Sequence, residues 1–345
     1  MSNKKLERVL AMIGERQTVA RSLLLKEIGD EKSLDRLIDQ VFASKNLFIQ
    51  RHEADVYYRI QSEPKPLAIP CLEEKRIWRY AKSEVEDTSF FWFQMPPEDW
   101  EKIIVAPLSD LQWGSKSCDV VRFRKYVQQL KKMPNVFTFI NGDLLDNALQ
   151  SSIAGAVHDN IMRPHTQVTT IIEELRPIAH KILFALPGNH ELRSKKTSDL
   201  DPLEYVCLAL GIPYSIAPVN MNILWHGCRF NFYCHHGVSG AATPGGRMNA
   251  AMKPVKWNNF TMFMIMGHVH DPICNPILRR CRIREYDEKG KLKSLRVVDR
   301  EQYVIICPAW VKYRGSYAEI AEYEPSPIGY IYCNLYPNGR YDISQ

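Results

Sequence analysis

The chain has 345 residues, of which 45% are hydrophobic and 24% are charged, and this composition excludes a wholly disordered protein. The 45 Lys and Arg residues outnumber the 39 Asp and Glu residues, which gives a formal charge of +6. This mildly basic balance permits a polyanionic partner but does not require one. Apolar runs long enough to span a membrane and a secretory signal are both missing from the sequence, so we expect a cytoplasmic protein without membrane contact. The nine cysteines form no Cys-x-x-Cys pair, which favours free thiols in a reducing compartment.

Residues 1–62 have the pattern of a small helical domain. Apolar residues recur at helical spacing over 6–13, 23–28 and 34–42, and two strands are predicted at 46–51 and 56–60. Three helices followed by a hairpin predict a winged-helix-like domain. Such a domain binds DNA, a partner protein or a second copy of the chain, and the mixed charges of its third helix leave these alternatives open.

Residues 63–100 are predicted to form a linker and a strap across the second domain, because prolines interrupt the early part of this segment. Trp78 and the aromatic residues at 90–93 are expected to anchor the strap. Packing into a protein core is the favoured role for these rings, and stacking on nucleic-acid bases is the alternative.

Residues 101–345 repeat a strand–loop–helix pattern, which is typical of an α/β domain. We predict strands at 102–108, 135–140, 182–186, 229–234 and 261–266, and helices at 120–133 and 163–177. Each strand leads into a polar cluster, and the five clusters are Asp110-Leu-Gln112, Gly142-Asp143-Leu-Leu-Asp146, Gly188-Asn189-His190-Glu191, His235-His236-Gly237 and Gly267-His268-Val-His270. Ligand sites in α/β sheets lie at the carboxyl ends of the strands, so we expect these clusters to form one site.

The residue types in these clusters indicate metal chemistry. Carboxylate, amide and imidazole groups without thiolates suit manganese, iron, nickel or zinc. Two acidic loops and several histidines are enough for a pair of metal ions, which clamps the oxygens of an in-line displacement at phosphorus. The sequence contains no Gly-Lys-Ser/Thr phosphate loop, so it does not support nucleotide hydrolysis of the P-loop kind.

In order and spacing, the five blocks resemble the calcineurin-like metallophosphoesterase superfamily over about residues 101–320. The resemblance implies an α/β fold in the form of a four-layer αββα sandwich, with two mixed sheets flanked by helices. It also implies two divalent metal ions at the strand ends. Mn²⁺ is favoured, with Mg²⁺, iron, nickel and zinc as alternatives.

The resemblance implies seven metal ligands, which are Asp110, Gln112, Asp143, Asn189, His236, His268 and His270. Asp143 would be shared by both ions, with Asp110, Gln112 and His270 at the first and the remaining three ligands at the second. Gln112 stands where the family usually has His. This departure implies a weaker first site, a preference for manganese or magnesium, or a lost activity.

Two catalytic roles follow from the same resemblance. His190 would lie near the scissile phosphate and protonate the leaving oxygen, and Asp146 would hold the His190 ring. Arg193 would contact a phosphate oxygen or face solvent. The resemblance places the ligand directly before Gly237, which favours His236 over the adjacent His235, and His235 would point to the opposite side if the strand geometry continues.

Residues 109–115 resemble the nucleic-acid-processing branch of the superfamily, which includes SbcD-type DNA repair exonucleases, the small subunit of archaeal D-family polymerases and phage-encoded metallophosphoesterases. Residues 278–300 contain nine basic and four acidic residues around a predicted hairpin turn at 288–291. This segment would hold a phosphate backbone or protect a sheet edge from aggregation. We therefore expect a metal-dependent phosphodiesterase that is a DNA nuclease. The alternatives are a phosphatase for a small phosphoester or phosphoprotein, and a non-catalytic DNA-binding or scaffold subunit with a degraded site.

Overall fold

The computed structural model describes residues 7–9, 11–12, 19–34, 37, 47–52, 55–60, 76, 78–85, 88–149, 152, 160–241, 243–258, 261–286, 292–314, 319 and 325–344. The chain divides into two compact units. The first comprises residues 1–66 and 282–298, and the second comprises residues 67–281 and 299–345. Within the described ranges, no helix combines the length and the apolar character needed to cross a membrane.

The first unit contains helix α1 (Arg21–Ile28) and the strands β1 (Val19–Ala20), β2 (Leu47–His52) and β3 (Asp55–Ile60). The strands form an antiparallel sheet in the order β1-β3-β2. Further helical residues lie at 7–9, 11–12, 31–34 and 37. The buried apolar residues of the described helical segments are Val9, Leu24, Ile28, Leu34 and Leu37. Both predicted strands and part of each predicted helix are therefore present, and the winged-helix architecture stays a prediction.

One sheet of the second unit has five strands in the order β15-β14-β6-β7-β8. The three parallel strands are β6 (Ile103–Leu108), β7 (Val136–Asn141) and β8 (Ile182–Leu186), and they are buried along their whole length. Two antiparallel strands, β14 (Tyr332–Leu335) and β15 (Tyr341–Ser344), complete the sheet beside β6. Continuous apolar runs in the parallel strands fit a sheet that is covered on both faces.

The second sheet has seven strands in the order β12-β13-β11-β10-β9-β5-β4. The strands are β4 (Arg79–Val85), β5 (Thr88–Gln94), β9 (Val219–Trp225), β10 (Cys228–His235), β11 (Phe263–Met266), β12 (Ile273–Tyr286) and β13 (Leu292–Ile306). The parts of β12 and β13 that fall within residues 282–298 belong to the first unit. β10 and β11 are parallel, as are β11 and β13, whereas β9 is antiparallel to β10. The segment predicted as a linker and strap thus supplies β4 and β5, and β5 pairs in parallel with β9.

Five α-helices are described in the second unit: α2 (Val120–Lys132), α3 (Pro164–Leu175), α4 (Asn189–Ser198), α5 (Pro202–Leu210) and α6 (Pro244–Met252). A short 3₁₀ segment, Arg176–Lys181, continues α3 towards β8. Helix α2 begins where the Asp119 carboxylate accepts a hydrogen bond from the Arg122 amide at 3.1 Å. It buries Phe123, Tyr126 and Leu130, whose helical spacing places them on one face. The predicted helices at 120–133 and 163–177 are therefore confirmed to within two residues.

Alternate residues of the strands pack into different cores. Ile104 and Leu108 of β6 pack with helical residues such as Phe123, whereas Val105 packs with residues of the seven-stranded sheet such as Phe232. The two sheets therefore pack face to face. A third cluster joins the opposite face of the seven-stranded sheet to Ala251 of α6. The second unit is a mixed α/β fold with two mixed sheets, and parallel strands in each sheet send their carboxyl ends to one edge.

Three of the aromatic residues predicted to anchor the strap belong to the core between the sheets. Trp78, Phe91 and Phe93 are buried there, and the rings of Phe91 and Phe184 stack with centroids 5.5 Å apart. For these residues, core packing is therefore confirmed over base stacking.

Candidate metal centre

Side chains from the loops after β7, β8, β10 and β11 meet in the second unit. The Nε2 atom of His236 lies 3.2 Å from Oδ2 of Asp143 and 3.1 Å from Oδ1 of Asn189. Nδ1 of His268 lies 2.7 Å from the same Asn189 oxygen. One ligand atom each from Asp143, His236 and His268 lies within 4.8 Å of the other two. A carboxylate and two imidazoles at this separation can hold a divalent transition-metal ion.

The loop after β6 brings a second group of predicted ligands together with His270. Nε2 of His270 lies 3.2 Å from Oδ1 of Asp110 and 3.3 Å from Nε2 of Gln112. The backbone amide of His268 donates to both carboxylate oxygens of Asp110, at 3.0 and 3.1 Å. Because an amide carries its oxygen and nitrogen on one carbon, rotation of the Gln112 amide would bring its oxygen to the same place. The three residues predicted to complete the first metal site are therefore neighbours.

Asp143 connects the two groups. Its Oδ1 accepts a hydrogen bond from the His190 amide at 2.9 Å, while Oδ2 faces His236. Its backbone carbonyl accepts from the Gln112 amide at 2.9 Å, which links the loops after β6 and β7. The side chain is almost fully buried. The carboxylate of Asp143 therefore faces the group that contains His236, and its backbone is tied to the group that contains Gln112.

The backbone of these loops is held in the left-handed region. Eight described residues other than glycine have a positive φ, and five of them are Asp110 (55°), Gln112 (50°), Asp143 (50°), His268 (72°) and His270 (58°). This conformation costs about 1–3 kcal/mol for a residue with a side chain and persists only where the surrounding structure enforces it. The left-handed conformation occurs at five of the seven predicted ligands. It therefore lowers local stability at the same positions where it directs these side chains.

Three glycines allow the loops to approach one another. A Cβ atom on Gly188 would lie 2.0 Å from Oδ1 of Asp143, and one on Gly142 would lie 2.4 Å from Nδ1 of His236. A Cβ atom on Gly267 would lie 2.2 Å from the Ser109 hydroxyl. Side chains cannot occupy these positions without displacing the ligands, which explains the glycine in these three blocks.

Glu191 has a structural role that the sequence analysis did not assign. Its buried carboxylate accepts hydrogen bonds from the amides of Gly188 at 2.8 Å, Asp143 at 3.0 Å and Leu145 at 2.9 Å. Burial, together with the charge of Asp143, raises the pKa of Glu191 to about 7. The available signal was its position three residues after Gly188 at the start of α4, which is the spacing of a capping box. Glu191 joins the two loops that carry Asp143 and Asn189.

The His190 ring is held mainly by the main chain of Asp146. Its Nδ1 lies 2.7 Å from the Asp146 carbonyl oxygen and 3.6 Å from the Asp146 carboxylate. A nitrogen that faces a carbonyl must donate, so the proton sits on Nδ1 in the neutral ring. The other nitrogen, Nε2, lies 3.6 Å from Oδ2 of Asp143. The predicted pairing of Asp146 with His190 thus exists, with the shorter contact made through the backbone.

The charges of the site follow from burial and from the proximity of Asp143 to histidines. Burial raises the pKa of the Asp143 carboxyl, but the charges of His236 and His190 outweigh this effect and hold the pKa below its ordinary value. Burial lowers the pKa of His236, but the carboxylate of Asp143 outweighs it and raises the pKa to about 10. Burial lowers the pKa of His190, and the charge of Asp143 only partly offsets this. Asp143 is therefore ionised at neutral pH and attracts cations.

His235 lies outside this group of ligands. Its ring packs against Tyr233 with centroids 5.5 Å apart, and its buried Nε2 has no hydrogen-bond partner within the described part of the chain. Burial lowers the pKa of His235 to about 4, so the ring is neutral at physiological pH. His236, and not its neighbour, supplies the histidine after β10.

Comparison with known proteins did not identify a family. No family model matched the chain, and no curated protein matched it. The metallophosphoesterase resemblance therefore rests on the motif blocks.

Proposed function

We propose that this protein is a metal-dependent phosphodiesterase of the calcineurin-like metallophosphoesterase superfamily and that it acts as a DNA nuclease. The observation that supports this most strongly is the convergence of Asp143, His236 and His268, with ligand atoms within 4.8 Å of one another, beside the pair formed by Asp110 and His270. In this proposal the second unit is the four-layer αββα sandwich and the first unit is a winged-helix-like domain.

The donor set fits two divalent ions. Asp110, Gln112 and His270 would hold one ion, Asn189, His236 and His268 would hold the other, and Asp143 would be shared. When bound, the two ions would supply Lewis-acid charge for the oxygens of an in-line displacement at phosphorus. We favour Mn²⁺ because a Gln amide oxygen is a harder and weaker ligand than an imidazole.

His190 would provide the proton for the leaving oxygen. Its Nδ1 is occupied by the Asp146 carbonyl at 2.7 Å, so only Nε2 can exchange a proton with a substrate. Because the neutral ring carries its proton on Nδ1, the ring must also be protonated on Nε2 to act as the acid. Burial and the charge of Arg193 oppose this protonation and lower the pKa of the ring, whereas the charge of Asp143 favours it. Arg193 lies beside this group, with Nη1 3.4 Å from the same carbonyl, and its charge would favour a phosphate there.

The preference for DNA rests on the basic segment 278–300 and on the pattern of the first unit. Arg280 and Arg282 of this segment are exposed, as expected for residues that meet a polyanion. A phosphatase with a small substrate would not need such a segment. A degraded, non-catalytic site is disfavoured because all seven predicted ligand positions hold groups that can bind metal. The first unit would bind DNA, a partner protein or a second copy of the chain.

The test is hydrolysis by the purified chain with added Mn²⁺, using labelled single-stranded DNA, duplex DNA, RNA, a bis-aryl phosphodiester and an aryl phosphomonoester. We expect cleavage of DNA and of the phosphodiester, and loss of both activities with Asp143→Asn. Asp99→Asn removes an exposed carboxylate elsewhere and is the matched control. Hydrolysis of the monoester alone would support a phosphatase, and no turnover of any substrate in a metal-loaded protein would support a non-catalytic subunit.

A further inference from the structure

An open cavity of about 500 Å³ lies in the second unit. It is bounded by helix α2, by Pro272 and Pro308, and by residues 327–331. A volume of this size is within the range of sites that bind small organic molecules. None of the predicted ligands or catalytic residues lines it, so the proposed metal chemistry does not account for it.

The walls of the cavity combine an apolar surface with positive charge. Three prolines and the partly buried Tyr330 form the apolar side, and the ring of Tyr330 stacks with the buried ring of Tyr126, with centroids 5.5 Å apart. Arg122 and Lys125, one turn apart on α2, also line it. Among the described residues, no Asp or Glu lines the cavity. These walls are complementary to an anion that carries a planar apolar group.

One of the two cations is fixed in place. Nη1 of Arg122 donates to the carbonyl oxygen of Ile328 at 2.6 Å, which holds the guanidinium against the wall. A side chain that is already positioned loses less conformational entropy when a ligand binds. Lys125 is exposed and mobile enough, by its long stem, to reach a phosphate at the mouth.

The walls are also tied to the loops of the proposed metal centre. Pro272 is two residues beyond His270, and the hydroxyl of Ser326, next to Pro327, donates to the His270 carbonyl at 2.5 Å. Pro308 is two residues before Trp310, whose amide donates to the Asp110 carbonyl at 3.1 Å. The cavity is therefore built on the same segments that present Asp110 and His270.

We propose that this cavity binds one nucleotide of the substrate strand, with the base against Tyr330 and the prolines and the phosphate at Lys125 and Arg122. The inference rests on the proposed function, because it takes the strand cleaved at the metal centre as the source of the nucleotide. Apolar and aromatic surface accepts any base, and a pair of cations accepts any phosphate, so the subsite would be tolerant of sequence.

The test compares Lys125→Glu with Lys131→Glu, which makes the same charge change on an exposed residue of α2 that does not line the cavity. With Mn²⁺ present, we expect Lys125→Glu to raise KM for a single-stranded oligonucleotide about tenfold, since loss of one charge-assisted contact is worth about that factor. Turnover of a bis-aryl phosphodiester should stay within about twofold. Lys131→Glu should resemble the parent on both substrates. Equal KM values for the two variants would overturn the proposal.

A second variant blocks the cavity without changing its charge. Gly329 lines the cavity, and a Cβ atom built on it meets no heavy atom within 4 Å. Gly329→Leu should therefore fold and reduce the space for a base, raising the oligonucleotide KM but not the KM of the aryl phosphodiester. Gly329→Ala, which adds a single methyl group at the same position, is the matched control. An oligonucleotide KM unchanged by Gly329→Leu would count against base binding.

A binding measurement separates failure of this inference from failure of the proposed function. Thymidine 5′-monophosphate is titrated without added metal, and thymidine and a hexaglutamate peptide are titrated in parallel. The chain could hydrolyse no substrate while Lys125→Glu still lowers the affinity for the nucleotide about tenfold relative to Lys131→Glu. That result would support nucleotide binding in the cavity and contradict the proposed nuclease activity. Equal nucleotide affinity in both variants, or tighter binding of the peptide than of the nucleotide, would overturn the cavity assignment.

Discussion

Gly188 shows at the scale of one residue how little space the candidate centre leaves. Its φ is −99°, which any residue can adopt, so only the 2.0 Å approach of a Cβ atom to Oδ1 of Asp143 requires glycine. Gly188→Ala must push Asp143 aside, and overpacking of this kind costs about 1–3 kcal/mol. We expect a lower melting temperature and loss of bound metal after loading with Mn²⁺. Gly240→Ala, which meets open space, should match the parent, and full metal content in Gly188→Ala would contradict the geometry.

Glu191 contributes through its three hydrogen bonds to backbone amides. Glu191→Ala would leave the buried amides of Gly188, Asp143 and Leu145 without their acceptor, at about 1–3 kcal/mol each. We expect the free energy of unfolding, measured with urea, to fall by at least about 3 kcal/mol. Glu204→Ala, at an exposed position of α5, should change it by less than about 0.5 kcal/mol. Similar stability of the two variants would show that water replaces the carboxylate.

Two variants distinguish whether the backbone or the side chain of Asp146 positions the His190 ring. His190→Gln should keep the bound metal but lower turnover of a phosphodiester with a poor leaving group by about 10²–10⁴-fold. Asp146→Asn preserves the carbonyl that accepts from the ring at 2.7 Å and should lower turnover by less than about tenfold. Metal content and turnover at neutral pH should be measured for both variants. A loss in Asp146→Asn as large as that in His190→Gln would show that the carboxylate, at 3.6 Å, does the positioning.

At the scale of elements, Arg247 of α6 joins the loops that follow β10 and β11. The buried guanidinium pairs with Asp271 at 2.9 Å, directly after His270, and its Nε donates to the Ala241 carbonyl at 3.3 Å in the loop after His236. The helix thus holds two ligand-bearing loops together, and Arg247 is a positioning residue in the proposed centre.

Arg247→Met should therefore loosen both loops. We expect a loss of about 1–3 kcal/mol in stability, and weaker metal binding with a changed visible spectrum of the Co²⁺-substituted protein. Arg247→Lys, which keeps the charge, should restore part of the stability and part of the metal affinity. The control is Lys253→Met, which removes an exposed cation from the segment after α6. An unchanged Co²⁺ spectrum in Arg247→Met would limit the role of the pair to stability.

At the scale of the whole molecule, the basic segment 278–300 is the feature that distinguishes a polymer substrate from a small one. The structure confirms long strands on both sides of the predicted turn, whose residues 288–291 lie outside the described ranges. Arg279 donates to the Val255 carbonyl at 3.1 Å and Arg280 pairs with Asp299 at 3.2 Å. Charge reversal at these two arginines would disturb contacts within the protein, so it is a poor test of DNA binding.

Charge reversal at Lys291, which lies outside the described residues, and at Lys293 tests the basic segment beyond these two arginines. We expect the double Lys→Glu variant to weaken DNA binding and to flatten the dependence of affinity on salt concentration, because fewer counterions are released. Hydrolysis of an aryl phosphodiester should be unchanged. The double variant of Lys131 and Lys132 on α2 carries the same charge change and is the control. An equal loss of DNA affinity in both double variants would indicate a general effect of net charge.

The local sequence was enough to predict the main strands and the polar groups at their ends. The strand at 182–186 was predicted to the residue, because a short apolar run between polar turns has few other ways to be buried. The same logic predicted where Asp110, Asp143, Asn189, His236 and His268 would lie, since the carboxyl ends of parallel strands share an edge. The separation of His235 from His236 also followed from the alternation of side chains along a strand.

Other features depend on contacts between residues that are distant in the chain. The sequence of residues 79–94 does not contain their partner, β9, so the strap was not predicted to be part of the seven-stranded sheet. The left-handed backbone at Asp110, Gln112 and His270 opposes local preference and is maintained by the packing of one loop against another. The three amides bound by Glu191 belong to two loops that only the folded sheet brings together. The sequence by itself determined which chemical groups reach the edge of the sheets, because that depends on short-range periodicity. Only the tertiary structure decided how they are held there, because that depends on backbone strain, steric contact and hydrogen bonds between separate segments.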